Sequence, residues 1–279
     1  MPYPYVPEDY HEVYGSMRVI LPNRVFDPKK GYELYHRYLD EYQYATEMGL
    51  NVMMNEHHQT ATCLDSCVSM TAATVARNTT KGKILLLGNQ LAHRDNPLRV
   101  AEEVALLDVL SKGRVESGFV RGVGGEIHPA NTNPVQNYER FYEAHDLIIK
   151  AWTTQEPFHW EGKHWHFRYA NPWPRPYQEP HPPIWTTGSN NNPAHIRWAA
   201  ERGYTFAVFL LPYAEAAKAF HIYRARREEL GLTTSPSQLA YCALVYVGEM
   251  DDEAQEEGRQ LLWYLSDKVP HPFWHPVGY

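Results

Sequence analysis

The sequence predicts a parallel α/β fold of the TIM (β/α)8-barrel type, on three observations. Short β-branched or apolar runs alternate with longer helical patterns along most of the 279 residues. Several helical patterns carry their own start and stop residues. Repeated strand–helix alternation implies parallel strands joined by right-handed crossovers, and roughly seven such units suit a barrel better than a smaller doubly wound sheet. An eighth strand–helix unit is missing, because the last helical pattern runs into Pro270-His271-Pro272-Phe273-Trp274-His275-Pro276. An open barrel leaves strand edges unpaired. Either the chain is a fragment, or the tail, the N-terminal arm or a partner covers the gap.

After a Pro/Tyr-rich arm over 1–16, the barrel is expected over 17–269, with a tail over 270–279. Met17 to Val25 reads as a strand, and Tyr32 to Met48 as a helix stopped by Gly49. Asn51 to Asn55 is a strand, Leu64 to Arg77 a helix and Lys83 to Leu87 a strand. Asn96-Pro97 opens a helix, with Asn as N-cap and Pro in the first helical position. Val100, Val104, Leu107 and Leu110 share one face of it, and Lys112-Gly113 closes it. Arg114 to Val120 is the next strand and Pro134 to Trp152 the next helix. Between about 154 and 183 the chain is rich in Trp, His and Pro, which predicts a hairpin and extended loop. Strands Ile184–Thr187, Thr205–Leu211 and Ala240–Val247 then alternate with helices Pro193–Arg202, Ala214–Leu230 and Asp252–Lys268. No composition shift divides the chain into two domains.

The 26 Lys and Arg against 33 Asp and Glu leave a net charge of −7. With no basic run, nucleic acid is not an expected partner. No apolar stretch approaches the ~20 residues of a membrane span, and the N-terminus has neither the basic start nor the apolar block of a signal peptide. Three cysteines make no disulfide framework, which fits a reducing cytoplasm.

In a parallel barrel, functional groups sit where strands end, and three such places are chemically unusual. Asn55-Glu56-His57-His58 follows a strand with a carboxylate and two imidazoles, which can do acid/base work, bind metal, or simply pack and bond to backbone. Gly118-Phe119-Val120-Arg121-Gly122-Val123-Gly124-Gly125 combines close-approach glycines with a planar cationic fork, suited to an anion. It is no dinucleotide fingerprint, because Glu126-Ile127-His128-Pro129 follows where a third glycine should open a helix. Thr187-Gly188-Ser189-Asn190-Asn191-Asn192-Pro193 precedes a helix, where exposed N–H groups and the helix dipole favour phosphate, although ordinary N-capping needs the same residues. His164-Trp165-His166 has the spacing of a metal pair but lies in the irregular segment. No zinc signature, P-loop or Gly-x-Ser-x-Gly elbow is present.

Glu56-His57-His58, Ala101-Glu102-Glu103 through Leu107-Asp108, Leu110-Ser111-Lys112-Gly113-Arg114, Gly118-x-x-Arg121-Gly122 and Trp198-Ala199-Ala200-Glu201-Arg202-Gly203 together resemble the bacterial luciferase-like flavin monooxygenases. The resemblance covers most of 17 to about 250, in the family's order. It implies a TIM barrel that takes reduced FMN from a separate NAD(P)H:flavin reductase and reacts it with oxygen. A flavin 4a-hydroperoxide then oxygenates an aldehyde, ketone, alkane or similar small apolar substrate. The family's oligomers further imply a homodimer.

Carried over by motif, His57 matches the family's catalytic imidazole. Arg121 matches the arginine that holds the FMN phosphate, Arg140 a second arginine near it, with Tyr138 assisting. Gly188, Ser189 and Asn190 match the phosphate loop loosely, and Asn89 falls where the family approaches the flavin ring. Val120 replaces the luciferases' reactive cysteine, which argues against bioluminescence itself. No metal is implied. The rivals are a deazaflavin-dependent oxidoreductase of the same fold, a metal-dependent barrel hydrolase and a non-catalytic flavin-binding subunit.

Overall fold

The strand after Lys83 is buried at every position, as a parallel strand covered on both faces must be. In the computed structural model, which describes residues 1–7, 9, 13, 20–122, 124–127, 129–189 and 191–266, the chain forms two units, Met1–Pro182 and Pro183–Leu265. Nothing in the composition marks that division.

In the first unit, β1 (Val52–Met54) and β3 (Val115–Val120) flank β2 (Ile84–Gln90), all parallel, with Val52 opposite Ile84 and Ile84 opposite Val115. The register slips between Leu87 and Asn89. A Cβ on Gly118 would lie 2.4 Å from the Leu86 carbonyl oxygen, so only glycine lets the two strands meet there. The helices are α1 (Pro28–Glu47), α2 (Val68–Asn78), α3 (Pro97–Ser111), the single-turn α4 (Gly124–Ile127) and α5 (Asn137–Thr153). Asn96 Oδ1 accepts from the Leu98 N–H at 3.0 Å and starts α3, and Lys112 in the left-handed region ends it, as the sequence predicts. Arg114 is spent on structure: its guanidinium donates to carbonyls of Ala76, Thr79, Lys81, Gly82 and Ser111.

The Trp/Pro-rich segment is the predicted hairpin, β4 (Phe158–Glu161) antiparallel to β5 (His166–Ala170), followed by a loop. Glu143 of α5 accepts from the N–H groups of Lys163, His164 and Trp165 and so holds the hairpin turn to the helix. Trp165 Nε1 donates to the Asp95 carbonyl at 3.0 Å, which fixes the hairpin beside the loop after β2.

The second unit has parallel strands β6 (Ile184–Thr187), β7 (Thr205–Phe209) and β8 (Leu239–Cys242). They pack on α6 (Pro193–Arg202) and α7 (Tyr213–Glu229) through Ile196, Ala199, Phe206, Val208, Ala219 and Tyr223. Helix α8 spans Asp251–Ser266.

Three expectations change. No strand covers Met17–Val25 among the described residues: 17–19 lie outside them, and Asn23–Val25 is a 3-10 turn just before Asp27, whose N–H donates to the Tyr3 hydroxyl. Helix α2 begins at Val68 rather than Leu64, because the Leu64 N–H is already taken by the Met1 carbonyl and the Val68 N–H by Glu56. The strand expected over Ala240–Val247 stops at Cys242, and Leu244 to Val247 are exposed. Six parallel strands, three in each unit, are present among the described residues. The tail over 270–279 lies outside them. No helix among them is long and apolar enough to cross a membrane.

Candidate active site

The end of β1 delivers Glu56, His57 and His58, and a buried carboxylate organises them. Glu56 is 4% exposed. Its Oε1 accepts from Arg94 Nη2 at 2.5 Å and lies 2.9 Å from His58 Nε2, while Oε2 accepts from the Val68 N–H at 3.1 Å. Its carbonyl accepts from Gln90 Nε2 at 2.8 Å. Burial by itself would raise its pKa, but the His58 contact, the Arg94 charge and the Val68 N–H outweigh it and hold the carboxyl below its ordinary value. One anion therefore ties the end of β1 to the start of α2 and to the loop after β2.

Two cavities adjoin this loop. His57 lines one of about 560 Å³, with mixed walls that include Tyr3, Leu21, Phe26 and Leu64 beside Asn23, Gln59, Thr60 and Ser66. The other, about 320 Å³, is lined by His58, Gln90, His93, Arg94 and Glu126. Gln59 and Ser66 line both. His57 Nε2 is 3.7 Å from Glu126 Oε1, so its ring reaches from the larger cavity to a residue lining the smaller one.

Arg121 emerges from the end of β3 with its guanidinium 4.5 Å over the Tyr138 ring, a cation–π contact. No carboxylate pairs with it among the described residues. Arg140 is more committed: Nε donates to the Ala92 carbonyl at 2.7 Å, Nη2 to the Arg94 carbonyl at 3.2 Å, and the group lies 4.5 Å over Trp165. His93 lies in their field. Burial first, then the charges of Arg140, Arg121, His58 and Arg94, depress its pKa to about 4. Its Nδ1 meets Thr132 Oγ1 at 2.8 Å, and Nε2 is buried without a hydrogen-bond partner. Gly122, with φ of +86°, permits this: a Cβ there would lie 2.3 Å from His93 Nε2.

The structure thus gathers His57, Arg121, Tyr138 and Arg140 in the first unit. Asn89 is there too, fully buried with neither amide atom paired, but the cavities are lined by its neighbour Gln90. Gly188 and Ser189 belong to the second unit, where the Gly188 N–H donates to the Ala207 carbonyl and Asn192, rather than Ser189, caps α6 through the His195 N–H. Asn190 lies outside the described residues. His164 is held by hairpin contacts, its Nε2 3.4 Å from Glu139. No group of three or more potential metal ligands occurs among the described residues. Sequence reasoning missed Glu56 as an organiser, as well as Gln90, His93, Arg94 and Glu126. The strand-end rule could have flagged His93-Arg94, which stand just past β2.

The depressed His93 pKa has a measurable effect. In the unfolded chain it titrates near 6.5, in the folded chain near 4, so between these values the unfolded state binds more protons. Stability is retained above about 6.5 and falls as the pH drops toward about 4, by on the order of 3 kcal/mol. Thermal unfolding of His93→Gln should lose much of that pH dependence. An identical pH profile in both proteins would mean that His93 is not held neutral.

The profile of the luciferase-like monooxygenase family matches residues 17–276. The chain belongs to that family. The oxygenase component of flavin-dependent trigonelline monooxygenase from Acinetobacter baylyi is 24% identical over 282 residues, covering 91% of this chain and 77% of that protein. Among solved structures, the oxygenating constituent of 3,6-diketocamphane monooxygenase from Pseudomonas putida, in complex with FMN, matches with a TM-score of 0.74 and 21% identity, covering 83% of this chain and 68% of that one. An F420-dependent secondary alcohol dehydrogenase matches at 0.63 and 18%, over 74% and 63%. The fold of this family member is of the luciferase-like TIM-barrel type, as its sequence predicts.

Proposed function

We propose that the chain is an FMN-dependent monooxygenase that receives reduced FMN from a separate NAD(P)H:flavin reductase and uses oxygen to oxygenate a small apolar organic substrate. The observation that carries this reading is the convergence of cationic groups around His93, where Arg140 bonds the flanking Ala92 and Arg94 carbonyls and Arg121 has no carboxylate partner among the described residues. Such a place suits the dianionic phosphate of a flavin nucleotide, to which a guanidinium donates two parallel hydrogen bonds. Arg140 adds charge, and Tyr138 holds Arg121 by its ring face. Asn89 offers an unpaired buried amide to a polar edge of the flavin.

Bound reduced FMN supplies the electrons that activate oxygen. This chain's own residues do the binding and move a proton. His57 is the proton-transfer group, because its ordinary pKa lies near neutrality. The apolar part of the larger cavity's wall, with Leu21, Phe26 and Leu64, receives the substrate beside it. The relatives' names support the flavin and the two-component arrangement. Three free cysteines, two of them partly exposed, favour the cytoplasm, and the family resemblance favours a homodimer.

The test is anaerobic titration of the purified protein with reduced FMN and, separately, with reduced deazaflavin, followed by oxygen uptake with an added alkanal. Reduced FMN should bind, and the alkanal should be oxygenated. Binding of the deazaflavin alone, with no oxygen uptake, would reassign the chain to hydride transfer, the reading favoured by its likeness to the F420-dependent dehydrogenase.

A further inference from the structure

We infer that Glu126 is the residue that positions His57 and balances the charge of its imidazolium. The inference rests on His57 being the proton-transfer group of the proposed function. Glu126 follows the glycine-rich turn after Arg121, on the single-turn helix α4, and is 5% exposed. A carboxylate so buried favours a cationic partner, and His57, whose Nε2 lies 3.7 Å from its Oε1, is one whenever the imidazole is protonated.

Several other described groups near His57 have partners of their own. On its own loop, Glu56 is held by Arg94, His58 and the Val68 N–H. Ahead of α2, Asp65 Oδ1 accepts from the Thr71 hydroxyl and the Asp65 carbonyl from the His57 N–H, while Asp65 Oδ2 is buried with no hydrogen-bond partner among the described residues. After β2, Arg94 is directed at Glu56, and His93 is neutral at ordinary pH. Cys63 and Tyr35 share the wall of the larger cavity with His57, Cys63 with its thiol pKa raised by burial and Tyr35 with its hydroxyl donating to the Leu64 carbonyl.

Among the described residues, Glu126 is the carboxylate placed within ion-pair reach of the imidazole, 3.7 Å from its Nε2. Nε2 is the ring nitrogen nearest Glu126, and Nδ1 is buried in the protein. When His57 takes up a second proton, the Glu126 charge stabilises the cation. Glu126 acts through His57 and is a positioning residue.

The experiment is an NMR titration of the histidine ring protons in the protein without flavin, with the His57 signal assigned by its loss in His57→Gln. In Glu126→Gln the His57 midpoint should move down by roughly one to three pH units, the effect of removing an opposite charge at this range. In Glu126→Asp it should move less, because the charge remains but retreats by one methylene. With flavin and substrate, the acid limb of kcat should shift in the same direction. An unchanged His57 midpoint in either folded variant overturns the inference, and Glu126→Asp decides the matter should Glu126→Gln fail to fold. A midpoint that moves as expected in a protein that binds no reduced FMN keeps the Glu126 assignment and removes the flavin reading instead.

Discussion

His57→Ala should retain reduced FMN yet lose roughly 10²–10⁴-fold in oxygenation rate, the range ascribed to one general acid–base group. The ring lines the larger cavity, and no flavin phosphate contact is assigned to it, so its loss should reach the proton-transfer step and not cofactor binding. Hydrogen peroxide should appear in place of oxygenated product, because reduced flavin still meets oxygen when the proton is misplaced. His57→Gln separates two roles: an amide donates a hydrogen bond but does not titrate. Stopped-flow flavin absorbance, with product and peroxide assayed together, makes the measurement. Full product yield in both variants would return His57 to a structural role.

Arg121→Ala should weaken FMN binding by roughly 1.5–3 kcal/mol, the scale of a hydrogen bond to a charged group. That is roughly 10- to 150-fold in affinity. The side chain has no carboxylate partner among the described residues and rests on the Tyr138 ring, so its removal leaves no buried anion unpaired, and the fold should survive. Arg121→Lys should recover part of the loss, since an ammonium restores the charge but not the paired donors. Equal FMN affinity in the wild type and Arg121→Ala, by titration of folded protein, would take Arg121 out of the phosphate pocket. Arg140→Ala would be a poorer probe. Two of its donors serve the Ala92 and Arg94 carbonyls, so the loop after β2 would move with it.

What the sequence determined by itself is what local chemistry decides. Asn96-Pro97 and Lys112-Gly113 bound α3 because capping and left-handed closure need only neighbouring residues. The apolar start of β2 and the placement of Glu56-His57-His58 past β1 and Arg121 past β3 follow from alternation of strand and helix. Tertiary structure alone decided the rest, because it depends on residues far apart in the chain. Glu56 reaches Arg94 across 38 positions, Trp165 reaches Asp95 across 70, and His57 meets Glu126 from another strand's end. The late start of α2 and the 3-10 turn where a strand was expected have the same origin, since Glu56 and Tyr3 claim N–H groups that no local pattern reveals. An N–H or carboxylate takes the partner that burial brings to it, and which groups are buried together is a property of the folded chain.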